Sequence, residues 1–485
     1  MSEPAEKTLF LETFGCQMNV LDSELVAGQF RQRGFRLIDD RAAADVILFN
    51  TCAVRDHAEQ KVSSRLGELR AIKAARPGVV IGVIGCQAER EGKGLVSRFP
   101  HIDLLCSPNQ LHRLSDLVEQ LLAGRERSNG AKRKPQLALS GGIRGRVEDN
   151  DPDGAAIESL DQSRNYAPGD RPFQAYVRVQ RGCDKFCAYC VVPTVRGLEK
   201  SRRPENILAD VRKLAAAGCR EITLLGQTVN SYVQQDGAGR TVRFAQLLDQ
   251  VCQIAGSARV RFVTNYPGAF DEDILRVMGA DPRICPYLHI PAQSGSDRML
   301  AAMRRQYSAD DYYRLVDRSR DLVPGLSLAG DFIVGFPGET EADFQATAEM
   351  VRRVHYKNCF VFKYSPRPGT AAFQLKDDVP DEVKRDRNNR LLAIQAEISS
   401  RANGQLIGRT LNVLIEGASR QQLDSPASRP ADRPVQLTGR SVADQIVVFP
   451  CPADSSIAQL TGQLVDVRIE QVTPYTLIGQ IAQVE

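Results

Sequence analysis

An α/β fold class is predicted, in three parts: an N-terminal doubly wound open sheet, a central partial barrel of six βα units, and a small C-terminal β-barrel. Three observations predict it. Short apolar runs alternate with helical periodicity over residues 1–123. The same alternation resumes on a larger scale from Pro172 to Asn403, and after Ile407 only short β-branched runs remain.

Taken in order, Thr8–Thr13, Asp45–Phe49, Val79–Ile84 and Ile102–Leu105 are apolar runs of the buried parallel type, and Asp22–Arg33, His57–Ala75 and Asn109–Leu122 carry helical spacing. Residues 124–171 are rich in Gly, Pro, Asp, Asn and basic residues and are expected to form a linker or a long loop. In 172–403 the expected strands are Gln174–Gln180, Glu221–Leu225, Val260–Thr264, Tyr287–Ile290, Leu326–Val334 and Phe360–Lys363. Helices Pro204–Ala217, Phe244–Ile254, Asp310–Leu322 and Glu341–Val354 lie between them. In 404–485 the runs Leu411–Ile415, Ile446–Phe449, Leu464–Ile469 and Ile478–Ile481, punctuated by Gly439, Gly462 and Gly479, suit a small β-barrel.

Composition narrows the class. The chain has 485 residues, too many for one compact domain, with 42% hydrophobic and 25% charged residues, 12 Cys and no Trp. A net charge of +4 tolerates a nucleic-acid partner without arguing for one. No apolar run approaches a membrane span and Met1–Lys7 is polar, so no membrane role and a cytoplasmic location are expected. There, cysteines read as metal ligands or small buried hydrophobes rather than disulfides.

Two cysteine patterns carry chemistry. Cys183, Cys187 and Cys190 put three thiolates on one short loop after a predicted strand, at the edge where barrel active sites lie. Three soft ligands suit a cubane iron–sulfur cluster with one iron left open. S-adenosylmethionine can chelate that iron through its amino and carboxylate groups, and an electron then cleaves the sulfonium to release a 5′-deoxyadenosyl radical. The other reading is a structural zinc site or buried cysteines. The nearest fourth ligand for zinc, Cys219, stands at an offset resembling no common zinc finger, and no His lies near. The spacing, Tyr189 and the barrel context favour the cluster.

Cys16, Cys52 and Cys86 each follow a predicted strand, so a parallel sheet would bring all three to its carboxyl edge, where open α/β sheets bind ligands. Gly15 and Gly85 would let the backbone approach a bulky ligand. Any one alone reads as a small residue in a turn; three together suggest a second cluster. Cys106 reads as a buried bystander, and Cys252, Cys285, Cys359 and Cys451 as structural.

With these residues in view, the chain resembles the radical methylthiotransferases along nearly its whole length. The matching segments are Phe14-Gly-Cys-Gln-Met-Asn19, Asn50-Thr-Cys-Ala-Val-Arg55, Gly85-Cys-Gln87, Cys190-Val-Val-Pro193, Arg196-Gly197 with Glu199 and Ser201-Arg202, Gln293-Ser-Gly-Ser296, Asp331-Phe-Ile-Val-Gly-Phe-Pro-Gly338 and Arg367-Pro-Gly-Thr370. Gln17-Met18-Asn19 and Ala53-Val54-Arg55 resemble the members acting on isopentenyladenosine. Members acting on threonylcarbamoyladenosine or a ribosomal protein read differently there.

The resemblance implies a methylthio group placed on C2 of N6-isopentenyladenosine at position 37 of tRNA. It implies two 4Fe–4S clusters, on Cys16/Cys52/Cys86 and on Cys183/Cys187/Cys190, and S-adenosylmethionine near Gly226 and Gln227, with Glu199 and Ser201 in reach by topology. It also implies an electron donor such as flavodoxin or ferredoxin, a monomer, and a TRAM-like tail that holds RNA. Asp331 is in reach by topology, and His289 is as consistent with a core residue as with a ligand. In the tail Arg409, Arg440, Arg468 and Tyr475 are available to RNA; the basic run Arg125, Arg127, Lys132, Arg133 and Lys134 reads as a solvated linker.

Overall fold

A computed structural model describes residues 6–53, 56–126, 134–141, 155–164, 172–268, 270–419, 435–452 and 454–482. Val54 and Arg55 of the second motif, and Arg127, Lys132 and Arg133 of the basic run, lie outside the described residues.

The N-terminal part is one parallel sheet of β1 (Thr8–Phe14), β2 (Arg36–Leu37), β3 (Val46–Thr51), β4 (Val80–Gly85), β5 (Leu104–Cys106) and β6 (Gln136–Ala138), in the order β2-β1-β3-β4-β5-β6. β3 and β4 are buried along their whole length, which is why they read as unbroken apolar runs rather than alternating ones. Helices Gln17–Gln32 and Leu114–Glu126 cover one face, and Asp56–Ala75 covers the other. The strand order reverses direction between β1 and β3, the place at whose carboxyl ends open α/β sheets bind ligands.

The stretch 124–171 differs from the expected linker. It supplies β6 and the helix Ala155–Gln162, whose Leu160 joins the N-terminal core. A three-residue strand and an eight-residue helix in a polar stretch give little periodic signal.

The central part holds six parallel strands in two groups of three: Gln174–Arg178, Glu221–Leu225 and Arg259–Val263, then Tyr287–His289, Ser327–Val334 and Asn358–Lys363. A parallel bridge from Val260 to Ile284 joins the groups into a partial barrel. Its outer core is packed by helices including Pro204–Ala216, Phe244–Ile254, Ala309–Leu322 and Glu341–Val354. Helix Asp381–Gly404, not expected from the sequence, leads from the last strand to the tail.

The tail is a closed five-stranded barrel. Gly439 and Gly479 are not turn residues: both lie inside strands, where a Cβ would run into the carbonyls of Leu414 and Arg468. Among the described residues no helix is long and apolar enough to cross a membrane.

Candidate functional site

In-register pairing of Phe14 with Thr51, and of Thr51 with Gly85, ends β1, β3 and β4 at one level. Cys16, Cys52 and Cys86, one or two residues further on, therefore share the carboxyl edge of the sheet. The loops are tied together by Asn19, which donates to Asn50 Oδ1 (2.9 Å), and by Asn50, which donates to Asn19 O (2.8 Å). The two glycines serve this tie rather than a ligand. A Cβ on Gly15 would stand 2.7 Å from Asn19 Oδ1 and 3.0 Å from the Cys52 Cβ. Gly85, at φ +94°, would meet Asn50 Oδ1 at 2.5 Å. A hydrogen bond from Cys52, and beyond its burial the Arg196 charge, draw the Cys16 thiol down to about 5. Burial pushes Cys86 up, with Arg196 acting against it.

The second triad sits on the loop that follows the first barrel strand. Gly182 enters it at φ +69°, where any side chain would strike the Leu198 carbonyl. Ala188 N–H donates to Met303 O (2.9 Å), and Ala188 O accepts from Ala372 N–H (2.7 Å), so both neighbouring loops hold it. Burial pushes Cys183 up and Cys190 to about 12. A charged group missed in the sequence lies here: Arg305 donates to Cys187 Sγ (3.4 Å) and to Pro291 O (2.8 Å). Its guanidinium stands 4.7 Å from the Tyr266 ring centre and 5.0 Å from that of Tyr307.

The two triads meet across one short helix, Val192–Arg196, which leaves directly from Cys190. Val191 and Val195 form an apolar cluster with Ala53 and Cys86. Arg196, at its end, is buried and pairs with Asp22 (2.9 Å), which also pairs with Arg178 (3.2 Å); Arg178 in turn pairs with Asp161 on the helix from the former linker. Leu225 and Val263, at two barrel strand ends, share a core with Leu9, Met18 and Leu21, so the N-terminal unit closes that side of the barrel.

Candidate cofactor residues fall around the second triad. Gly226 and Gln227 follow the second strand, and Gln227 Oε1 is buried with no hydrogen-bond partner in the structure. Such an orphan acceptor suits the amino group of S-adenosylmethionine. Glu199 accepts from Thr228 Oγ (2.8 Å), and burial raises its carboxyl. Ser201 is engaged by a hairpin, its Oγ accepting from Val233 N–H (3.3 Å). Glu199 and Ser201 line a cavity of about 820 Å³ with Arg181, Arg203 and Gln234, and its lining includes neither the triad cysteines nor Gly226 and Gln227.

The donor chemistry fits clusters better than one ion. Each triad offers three soft thiolates, one set on a single short loop and one set at a single sheet edge, as iron–sulfur clusters require. Cys219 lies at the opposite end of the second strand from the loop, roughly 15 Å by strand rise. It is buried, with its thiol on Glu221 O (3.2 Å), and burial raises it to about 11. Cys106, Cys252, Cys285 and Cys359 are buried as well. His289 pairs with Asp331 (3.1 Å) across neighbouring strands. In the tail Arg409, Arg468 and Tyr475 are exposed, but Arg440 is held by Glu416 (3.1 Å) and Asp444 (2.9 Å).

Three family models match the chain: uncharacterized protein family UPF0004 over residues 8–107, the radical SAM superfamily over 177–351 and the TRAM domain over 404–482. A tRNA-2-methylthio-N(6)-dimethylallyladenosine synthase of Rhodopirellula baltica is 44% identical over 484 residues, covering 99% of this chain and 96% of that one. A protein of the same name from Polynucleobacter asymbioticus is 40% identical over 98% of this chain and 99% of its own length. Among solved structures, the radical S-adenosylmethionine methyltransferase TsrM of Kitasatospora setae, with cobalamin and a 4Fe–4S cluster bound, aligns with a TM-score of 0.54 at 14% identity, over 76% of this chain and 74% of that one; the likeness is one of fold. On these full-length identities, the chain belongs to the tRNA-2-methylthio-N(6)-dimethylallyladenosine synthase family.

Proposed function

We propose that this chain is a transferase that methylthiolates C2 of N6-isopentenyladenosine at position 37 of tRNA by radical S-adenosylmethionine chemistry, with two 4Fe–4S clusters. The observation that carries it is the helix Val192–Arg196, which runs from Cys190 of one triad to Cys86 of the other. The C2–H bond of adenine is too inert for base chemistry, so a radical source and a sulfur source must sit close together, and this helix keeps them so.

In this reading Cys183, Cys187 and Cys190 hold one cluster and Cys16, Cys52 and Cys86 the other. When bound, these clusters supply one-electron cleavage of S-adenosylmethionine and the sulfur to be transferred. Gln227 Oε1 would accept from the cofactor's amino group beside Gly226, and Glu199 and Ser201 would lie on the same side. Arg196 sets a buried positive charge against the Cys16 and Cys86 thiolates, and Asp22 fixes its direction. Arg305 does the corresponding work at Cys187. The units 1–123, 172–403 and 404–485 serve as cluster domain, radical domain and RNA-binding domain, with 124–171 joining the first two. A flavodoxin or ferredoxin as electron donor, a monomeric state and a cytoplasmic location belong to the same reading.

Nucleoside mass spectrometry of tRNA from cells with and without this protein tests it. Loss of 2-methylthio-N6-isopentenyladenosine, with N6-isopentenyladenosine accumulating, is the expected result. Loss of a methylthiolated threonylcarbamoyladenosine, or of a ribosomal-protein modification, would move the substrate elsewhere.

A further inference from the structure

Two aromatic rings of the barrel stand largely open to solvent. In the last strand, Asn358–Lys363, Cys359 and Val361 pack into the outer core beneath the helices. Alternation turns Phe360 and Phe362 to the other face, toward the lumen. There they remain 47% and 39% exposed, and neither joins an apolar cluster among the described residues. Two large rings left open side by side on one concave face mark a surface kept for a ligand.

The surroundings state the ligand's chemistry. Phe360 lies opposite Asp331 and Phe362 opposite Ile333 in the parallel register. Asp331 pairs with His289, whose ring meets Phe360 edge-on at 6.3 Å between centroids. Ile333 belongs to the small cluster that includes Ala188 and Met303, with Tyr189 packed against it, so the wall continues into the Cys183–Cys190 loop. A flat apolar surface with a polar pair at one end and the radical-generating loop at the other suits a flat ring that carries both polar edges and an apolar substituent. Enzymes that act on a base must take it out of the stack and hold it between aromatic or apolar side chains.

Resting on the functional reading above, we propose that Phe360 and Phe362 form the seat of the extruded adenine and its apolar N6 substituent. The His289–Asp331 pair faces the polar edge of the purine. The two rings determine the preference for a prenylated over an unmodified adenosine.

The test compares binding of two anticodon stem-loop RNAs, one with N6-isopentenyladenosine and one with plain adenosine, to reconstituted full-length protein by fluorescence anisotropy. The parent should prefer the prenylated RNA by roughly tenfold or more, the scale of an apolar group entering a fitted pocket. In Phe360→Ala and Phe362→Ala, with folding checked by circular dichroism, the preference should fall severalfold toward unity. Phe360→Tyr, which keeps the ring, should retain it. An undiminished preference in both Ala variants would overturn the seat, as would a parent with no preference at all. A parent that prefers the prenylated RNA yet never methylthiolates it would strike the functional reading instead, and leave the seat standing.

Discussion

Arg305 fixes a positive charge beside one thiol of the radical loop, and the Tyr266 and Tyr307 rings against its guanidinium prevent it from swinging away. Hydrogen bonds to ligand sulfurs and nearby charge raise the reduction potential of an iron–sulfur cluster. Arg305→Ala should therefore leave the cluster harder to reduce, with Arg305→Lys between the two because it keeps charge but not the planar fork. A redox titration followed by electron paramagnetic resonance checks this; an unchanged midpoint in the Ala variant would assign Arg305 to packing alone. Nothing in Met303-Arg304-Arg305 announced the role, since Arg305 is one of 63 basic residues and meets Cys187 only through the fold. The cysteines were legible for the opposite reason: their chemistry is carried by residue type, and strand-end position could be read locally. For the same reason Cys219 could be separated from the loop, and Cys219→Ser is expected to leave iron content unchanged.

At the scale of elements, helix Glu341–Val354 shows how one side chain joins a motif to the scaffold. Thr340 and Asp343 form a reciprocal cap, Thr340 N–H donating to Asp343 Oδ2 (2.8 Å). Asp343 Oδ1 also accepts from Ser296 Oγ (2.6 Å), and Gly295 N–H donates to Thr347 Oγ (3.0 Å). The Gln293–Ser296 motif is thus docked on this helix. Although burial acts the other way, Arg298, Ser296 and Thr340 hold the Asp343 carboxyl well below the usual range. A depressed carboxyl stabilises the fold fully above its unfolded value, about 3.9, and loses that contribution as pH falls through the lower folded value. Asp343→Asn should cost about 1 kcal/mol at neutral pH, the scale of a lost cap. In thermal melts the gap to the parent should narrow below pH 4. Helices of this kind were legible: Phe244–Ile254 and Glu341–Val354 were expected at their observed bounds. Helix Gln17–Gln32 was expected only from Asp22, because its first turn is polar and is set by the buried Asn19–Asn50 exchange. Ala155–Gln162 escaped notice because Asp161 finds Arg178 only in the folded chain.

On the scale of the whole molecule, three domains in sequence suggest parts that could be removed one at a time, and the polar contacts between them say otherwise. Buried Arg261 donates to Ser441 O (2.6 Å) and Arg259 to Asn412 O (2.9 Å), while Lys357 pairs with Asp444 (2.6 Å). All three acceptors belong to the tail. Deleting residues 404–485 would take the charge partner from Lys357, a loss of about 3–5 kcal/mol for a buried pair, and carbonyl acceptors from the two arginines, although Arg261 keeps Glu221 at 2.7 Å. The truncated protein should melt several degrees lower, so weak tRNA binding by it would not alone assign the RNA surface to the tail.

A cleaner division comes from the cysteines, which can be altered without cutting the chain. Cys16, Cys52 and Cys86 stand on the N-terminal sheet, and Cys183, Cys187 and Cys190 on a barrel loop held by Met303 and Ala372. Among the described residues neither triad holds the other's backbone by a hydrogen bond. Replacing Cys16, Cys52 and Cys86 together by Ala should therefore remove about half the iron after anaerobic reconstitution, while cleavage of S-adenosylmethionine to 5′-deoxyadenosine continues, since that step needs only an open-iron cluster and an electron. No methylthiolated adenosine should form, because no sulfur is held near C2. Arg196 is the point at which this separation could fail. With the thiolates gone it keeps Asp22 as its partner at 2.9 Å, so the helix Val192–Arg196 that supports Cys190 should stay docked. Iron binding equal to the parent, or continued product formation, would make the three cysteines structural and require another carrier for the sulfur.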